Sequence, residues 1–176
     1  MKYLHRFLSF VAKRMVMFTA VTALLILAFY LAMNTANIYL LLEDGMSLRV
    51  KVILQRDGAE ELSGYFTDDF LKTDETLNIG LSGASPYVDY TITDYNYRMS
   101  LEWVWAWPWE NTATATIEER VPRITGRVNS DRQELVTAWY GGRYTVYLAR
   151  TDGRWKIDRL VQTKLIVEET EEEPAS

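Results

Sequence analysis

The chain has 176 residues, 24 of them acidic and 19 basic, and a formal net charge of -5. Without a basic excess it lacks the electrostatic footprint of a nucleic-acid-binding protein. It contains no cysteine, which excludes disulfides, thiol catalysis, thiolate zinc sites and a lipidated-cysteine anchor.

The charges are unevenly placed. Lys2, Arg6, Lys13 and Arg14 are the only full charges in the first 42 residues, while the remainder carries 15 basic against 24 acidic residues, a net -9. Opposite signs in two parts of one chain point to two surroundings. Residues 15–33 read MVMFTAVTALLILAFYLAM, without charge, Gly or Pro. About 20 apolar residues in a helix cross the hydrocarbon core of a bilayer, and a helix satisfies its own backbone there. A cleaved signal peptide has a shorter apolar region ending in a small-x-small site. Neither Asn34/Ala36 nor Tyr30/Ala32 supplies small residues at both cleavage positions, so the stretch is expected to be retained as an anchor. Lys13 and Arg14 before it and Glu43 and Asp44 after it place the N-terminus in the cytoplasm by the positive-inside rule. Residues 1–14 form a basic cytoplasmic segment, either a short interfacial helix or a disordered tail. Residues 15–42 form the transmembrane helix and its extension.

Gly45 punctuates the end of the anchor, and an extracytoplasmic domain over 46–167 follows. Residues 46–56 fit both strand and helix periodicity, and the local pattern does not decide between them. Asp57-Gly58 is a break. Residues 59–66 look helical. Thr67 is a good N-cap, and Asp68 and Asp69 suit the first turn of a further short helix holding Phe70 and Leu71. Residues 73–86, with two glycines, serines and a proline, are expected to be mainly loop.

Everything beyond is strand-like. Val88, Tyr90 and Ile92 occupy even positions, whereas Tyr95, Tyr97, Met99, Leu101 and Trp103 occupy odd ones. That change of phase near Thr93–Asp94 predicts a bulge. A turn follows Pro108. The next strand covers 112–121, with Ala113, Ala115, Ile117 and Val121 on one face. A turn is expected at 129–131, a long strand kinked by Gly141-Gly142 over 135–150, a hairpin at Asp152-Gly153 and a return strand over 154–167. The glutamate-rich residues 168–176 form a solvated acidic tail.

Helices followed by an antiparallel meander give an α+β fold: an N-terminal transmembrane helix, then a cone of helices packed on a strongly curved antiparallel sheet. Three passages, DGAEELSGYFTDDFL, ITDYNYRMSL and YTVYLARTDGRWKID, resemble the nuclear transport factor 2-like superfamily, also called cystatin-like or SnoaL-like. That resemblance implies helix for residues 46–56. It also brings two kinds of function: isomerases and dehydratases with a pocket, and non-catalytic, membrane-anchored scaffold domains of bacterial secretion, conjugation and sporulation machines.

No strong catalytic motif is present. The only histidine, His5, lies on the cytoplasmic side, so neither a Ser-His-Asp nor a Cys-His arrangement fits the external domain. A metal site would need oxygen ligands alone, and Asp68/Asp69 and Asp74/Glu75 read better as helix-cap or loop charges. No cofactor is implied. One acid–base idea joins Asp89, Asp94 and Glu102 to Tyr95 and Tyr97 in a cone pocket, but strand parity puts Asp94 and Glu102 on the face opposite the tyrosines.

The remaining signal is Trp103, Trp105, Trp107 and Trp109, at alternate positions in LEWVWAWPWE. Alternate strand residues share a face, and this stripe continues the one formed by Tyr95, Tyr97, Met99 and Leu101. Parity therefore assigns Trp103 and Trp105 to the core, with Trp107 and Trp109 at an exposed turn suited to a partner protein, lipid or sugar. The six residues Tyr95, Tyr97, Trp103, Trp105, Trp107 and Trp109 are the candidate partner- or ligand-binding set. The expected function is a non-catalytic membrane-anchored scaffold or assembly subunit that binds partner proteins or itself. The alternative is a ligand-binding or enzymatic cone with an aromatic pocket.

Overall fold

The computed structural model describes residues 2–107, 109–129 and 136–167. The fold is α+β: one long N-terminal helix, three short helical segments and a four-stranded antiparallel sheet in the order β1-β2-β3-β4.

Helix α1 (Lys2–Gln55) is unbroken. At 1.5 Å per residue its 54 residues extend about 80 Å. Its two halves differ in what they touch. Between Phe10 and Met33 apolar side chains such as Phe18, Leu24, Ile26 and Phe29 are exposed all around the helix. From Asn34 onward a stripe at three- and four-residue spacing is buried: Asn34, Ile38, Leu42, Met46, Arg49, Val50 and Ile53. This is the periodicity of a helix with one face against a core. The first half is long and apolar enough to cross a membrane, with a mean hydropathy of 2.3 and no side chain buried in its most apolar window, which suggests membrane anchoring.

The break expected at Gly45 is absent. Gly45 lies mid-helix, where a Cβ would sit 3.0 Å from Tyr65 Cβ and 3.2 Å from Ile157 Cδ1, so the residue permits close packing instead of ending the helix. Residues 46–55, ambiguous by pattern, are helical. The helix ends where Arg56 (φ 60) and Gly58 (φ 77) turn left-handed, the usual way a helix terminates.

A 3₁₀ segment, η1 (Ala59–Gly64), leads to helix α2 (Asp68–Thr73). Thr67 caps α2 as expected, its hydroxyl accepting from the Phe70 N–H at 3.3 Å, with Asp68 and Asp69 in the first turn. Residues 75–81, expected to be loop, form helix α3 (Glu75–Leu81). Gly80, which weakens the helical signal, is what allows α3 to lie on α1: a Cβ there would fall 2.9 Å from Ile53 Cγ2.

The strands are β1 (Tyr90–Trp105), β2 (Thr112–Val128), β3 (Tyr140–Thr151) and β4 (Arg154–Val167). Strands β3 and β4 meet at Asp152 (φ 51) and Gly153 (φ 77), the two consecutive positive φ angles of a type I′ hairpin. Strand β3 starts at Tyr140, later than expected, and Leu135 lies outside the described residues. So do Ser130 and Asp131 of the expected 129–131 turn, and the 168–176 tail. One face of the sheet is core: Ala113, Ala115, Ile117, Val146, Leu148 and Ile157 are buried with Ile38, Leu42, Met46 and Val50 of α1. Phe66 and Phe70 stack at 4.6 Å beneath them.

Strand β1 carries three register shifts against β2: between Ile92 and Asp94, between Asn96 and Arg98, and between Leu101 and Trp103. The first is the bulge anticipated at Thr93–Asp94. The third overturns the core assignment of Trp103 and Trp105. Leu101 pairs with Ile117 and Trp103 with Thr116, so Glu102 is an extra residue and the alternation reverses after it. Val104 and Ala106 now pack against the core, while Trp103 and Trp105 turn outward, 50% and 52% exposed.

Candidate functional site

The outward tryptophans form a continuous ladder. Trp103 and Trp105 stack with ring centroids 6.2 Å apart, Trp105 and Trp107 meet edge to face at 5.4 Å, and Trp107 and Trp109 stack at 4.9 Å. Stacked and T-shaped pairs at these separations are favourable beyond the area they cover. Trp109, at the turn, is 69% exposed. Beneath the rings the β2 partners are Thr116 and Thr114, whose short side chains leave room for indoles to lie across them. The bulge residue Glu102 is tied to the outer face by an ion pair with Arg143 of β3.

The ladder stands at one end of the domain, defined by Asn34. Its amide Nδ2 donates to the carbonyl of Ala106 at 3.5 Å. Its Oδ1 accepts from Trp155 Nε1 at 2.9 Å and from Arg150 Nη2 at 3.4 Å. The Arg150 guanidinium also lies 4.5 Å from the centroid of the Trp155 ring. A single buried polar side chain on α1 thus fastens the β1–β2 and β3–β4 hairpins beside the point where the helix leaves the domain.

Tyr95 and Tyr97 are not part of this surface. Both are partly buried on the inner side of β1 and pack against the core. Tyr97 reaches a largely buried polar cluster formed by residues of α1, the start of α3 and the sheet. There Arg49 Nε donates to Asp74 Oδ2 at 2.6 Å and Nη2 to Oδ1 at 3.0 Å, a two-pronged pair in which both side chains are nearly enclosed. Asp74 precedes α3 but makes no side-chain capping bond, because its carboxylate is committed to Arg49. Glu119 is fully buried and accepts from Trp139 Nε1 at 3.1 Å. Among the described residues, its Oε2 and the Tyr97 hydroxyl have no hydrogen-bond partner.

Burial raises the Glu119 carboxyl above its usual range, against the pull of Arg49 and the Trp139 hydrogen bond. Burial likewise raises the Tyr97 phenol, with Glu119 adding to the effect, and lifts Tyr144 to about 12. The cluster therefore favours a neutral acid and neutral phenols around one ion pair. Tyr97 also borders an open cleft of about 440 Å³ that includes Glu43, Lys51, Glu61 and Tyr65. Asp94, by contrast, is exposed, 3.7 Å from Arg123, and Glu102 is engaged by Arg143. Neither converges with the tyrosines, as strand parity anticipated.

The inner cluster was not singled out from sequence, yet it left a trace. On β2 the inward positions run Ala113, Ala115, Ile117, Glu119 and Val121, and a carboxylate in that phase cannot face water. Arg49 and Asn34 interrupt the apolar stripe of α1 in the same way. Comparison of the chain with protein-family models, with curated proteins and with solved structures finds no match.

Proposed function

We propose that this protein is a membrane-anchored, non-catalytic assembly subunit. Its N-terminus lies in the cytoplasm, and its α+β domain stands outside, presenting surfaces to partner proteins or to further copies of itself. The observation that carries this reading is the continuity of α1. One helix supplies both an apolar, unburied segment and the central element of the domain core, so no flexible joint separates membrane from domain, and a load on one is felt by the other. The sided charges, Lys13 and Arg14 before the span and Glu43 and Asp44 after it, support the orientation.

The fine architecture belongs to the same proposal. Helices lie on one face of a sheet whose first two strands shift register three times, with the extra residue twice in β1 and once in β2, which suits the cone of the nuclear transport factor 2-like domains and, within that group, its anchored scaffold members. Two surfaces serve for contact. The tryptophan ladder is one. The other is the edge strand β4 beyond Ile157, where Val161 and Leu165 are exposed together with Tyr140 of β3. An exposed edge with apolar side chains is a ready site for another chain.

A photo-crosslinking residue at Leu165 in intact membranes tests the reading. It is expected to capture one or a few defined chains, this chain included, and a control at exposed Lys72 is expected to capture none of them. Turnover of a small molecule by the purified protein, abolished by Glu119→Gln, would overturn it. That result would favour the second reading, a ligand-binding or catalytic cone, for which the unpartnered Tyr97 hydroxyl and Glu119 Oε2 are the specific support.

A further inference from the structure

We infer that the tryptophan ladder rests in the interface of the bilayer that α1 crosses, so that the domain is held to the membrane at two places. This rests on the anchored-subunit reading and names the partner of one of its surfaces as the lipid headgroup region.

Three observations converge on it. The first is direction. Strand β1 runs opposite to α1: Tyr97 lines one cleft with Glu43, Ser47 and Lys51, whereas Ala106 bonds Asn34. The chain beyond Ala106, with Trp107 and Trp109, therefore continues toward the apolar half of the helix. The second is level. Residues 15–34 of α1 measure about 30 Å, the thickness of a hydrocarbon core. The outer boundary then falls at Asn34, the residue to which both hairpins are fastened. Arg150, bonded to Asn34, fixes the same limit, because a guanidinium does not sit cheaply in hydrocarbon. The third is chemistry. Tryptophan is the side chain enriched at membrane interfaces, with an apolar body for the acyl boundary and an N–H for the headgroups. Three of the four linked rings, Trp103, Trp105 and Trp109, are exposed, apolar surface of the kind soluble monomers seldom leave uncovered. A protein partner could cover such rings, but their level beside the anchor favours lipid.

The test uses the full chain in phosphatidylcholine vesicles, with and without bromine near the headgroup end of the acyl chains, where bromine quenches tryptophans in contact. Four of the six tryptophans are in the ladder and the other two, Trp139 and Trp155, are buried. Emission is expected to fall roughly twofold in brominated lipid, as interfacial indoles should. The chain carrying Trp103→Phe, Trp105→Phe, Trp107→Phe and Trp109→Phe is expected to be insensitive, with the near-ultraviolet signal of the remaining Trp139 and Trp155 showing that it is folded. A fluorophore on Tyr30→Cys, exposed on α1 and about 6 Å inside the boundary at Asn34, reports the anchor separately. If that reporter is quenched and the ladder is not, the inference fails while the anchor stands; if neither is quenched, both fail. Emission untouched by bromine yet shielded from aqueous acrylamide would also overturn it, in favour of a protein or second copy over the rings.

Discussion

Replacing Asp74 with alanine strands a buried cation. Arg49 and Asp74 expose only 5% and 7% of their side chains and meet through two hydrogen bonds of 2.6 and 3.0 Å. At about 4 Å between charge centres and an effective dielectric near 20, their attraction is about 4 kcal/mol. Removing one partner of a buried pair costs about 3–5 kcal/mol, because the other stays desolvated and unpaired. Asp74→Ala should therefore destabilise the fold by about 4 kcal/mol, lowering the melting temperature by on the order of 10–20 °C for a domain of this size. Arg49→Met combined with Asp74→Ala removes both charges while keeping the volume under the sheet, and such replacements are often neutral. The double variant should recover most of the loss, leaving a coupling of at least about 2 kcal/mol in the thermodynamic cycle. Urea unfolding of the full chain in detergent, followed by near-ultraviolet circular dichroism, measures all four corners. A double variant no more stable than Asp74→Ala would refute the reasoning, showing that Asp74 contributes through α3 and not through the charge of Arg49.

Two further outcomes follow from the burial pattern. Because the folded Glu119 carboxyl titrates above its ordinary 4.5, its penalty is absent below that value and grows as pH rises from there toward the folded pKa. Stability of the wild type relative to Glu119→Gln should accordingly fall as pH is raised from about 4 to 8, and a flat difference across that range would contradict the raised value. Trp105→Ser, on the outer face, should lower the unfolding free energy of the detergent-solubilised chain by roughly 1–2 kcal/mol, the loss of its two ring contacts. Trp139→Ala, in the core, should cost about 3–5 kcal/mol, and reversed magnitudes would restore the parity assignment.

The parts of this fold legible in the sequence are those governed by local rules. The apolar run at 15–33, the Thr67 cap, the Asp152-Gly153 turn and the Thr93–Asp94 phase change each need only a few neighbouring residues. What escaped depends on residues distant in sequence. The bulge at Glu102 is invisible in alternation, since LEWVWAW continues the odd-position pattern without a slip; only pairing with Ile117 and Thr116 fixes which face each ring takes. Helix α3 is masked by Gly80, which looks like a breaker until Ile53 is placed beside it. Gly45 misleads in the same way. Of the six candidate residues, the structure brings the four tryptophans into one surface and sends Tyr95 and Tyr97 to the other side of the strand. Arg49, Asp74 and Glu119 lie 25 and 45 residues apart in sequence, so their meeting is a product of tertiary packing.

The chain's lack of cysteine makes every introduced thiol a clean reporter. A membrane-impermeant maleimide should label Lys51→Cys in intact cells stripped of any wall. It should label Lys13→Cys only after the membrane is opened, and Leu24→Cys, Leu25→Cys and Ile26→Cys in neither state. Rapid labelling of those three positions, whose side chains are all exposed on α1, would place the helix in water and contradict the anchored account.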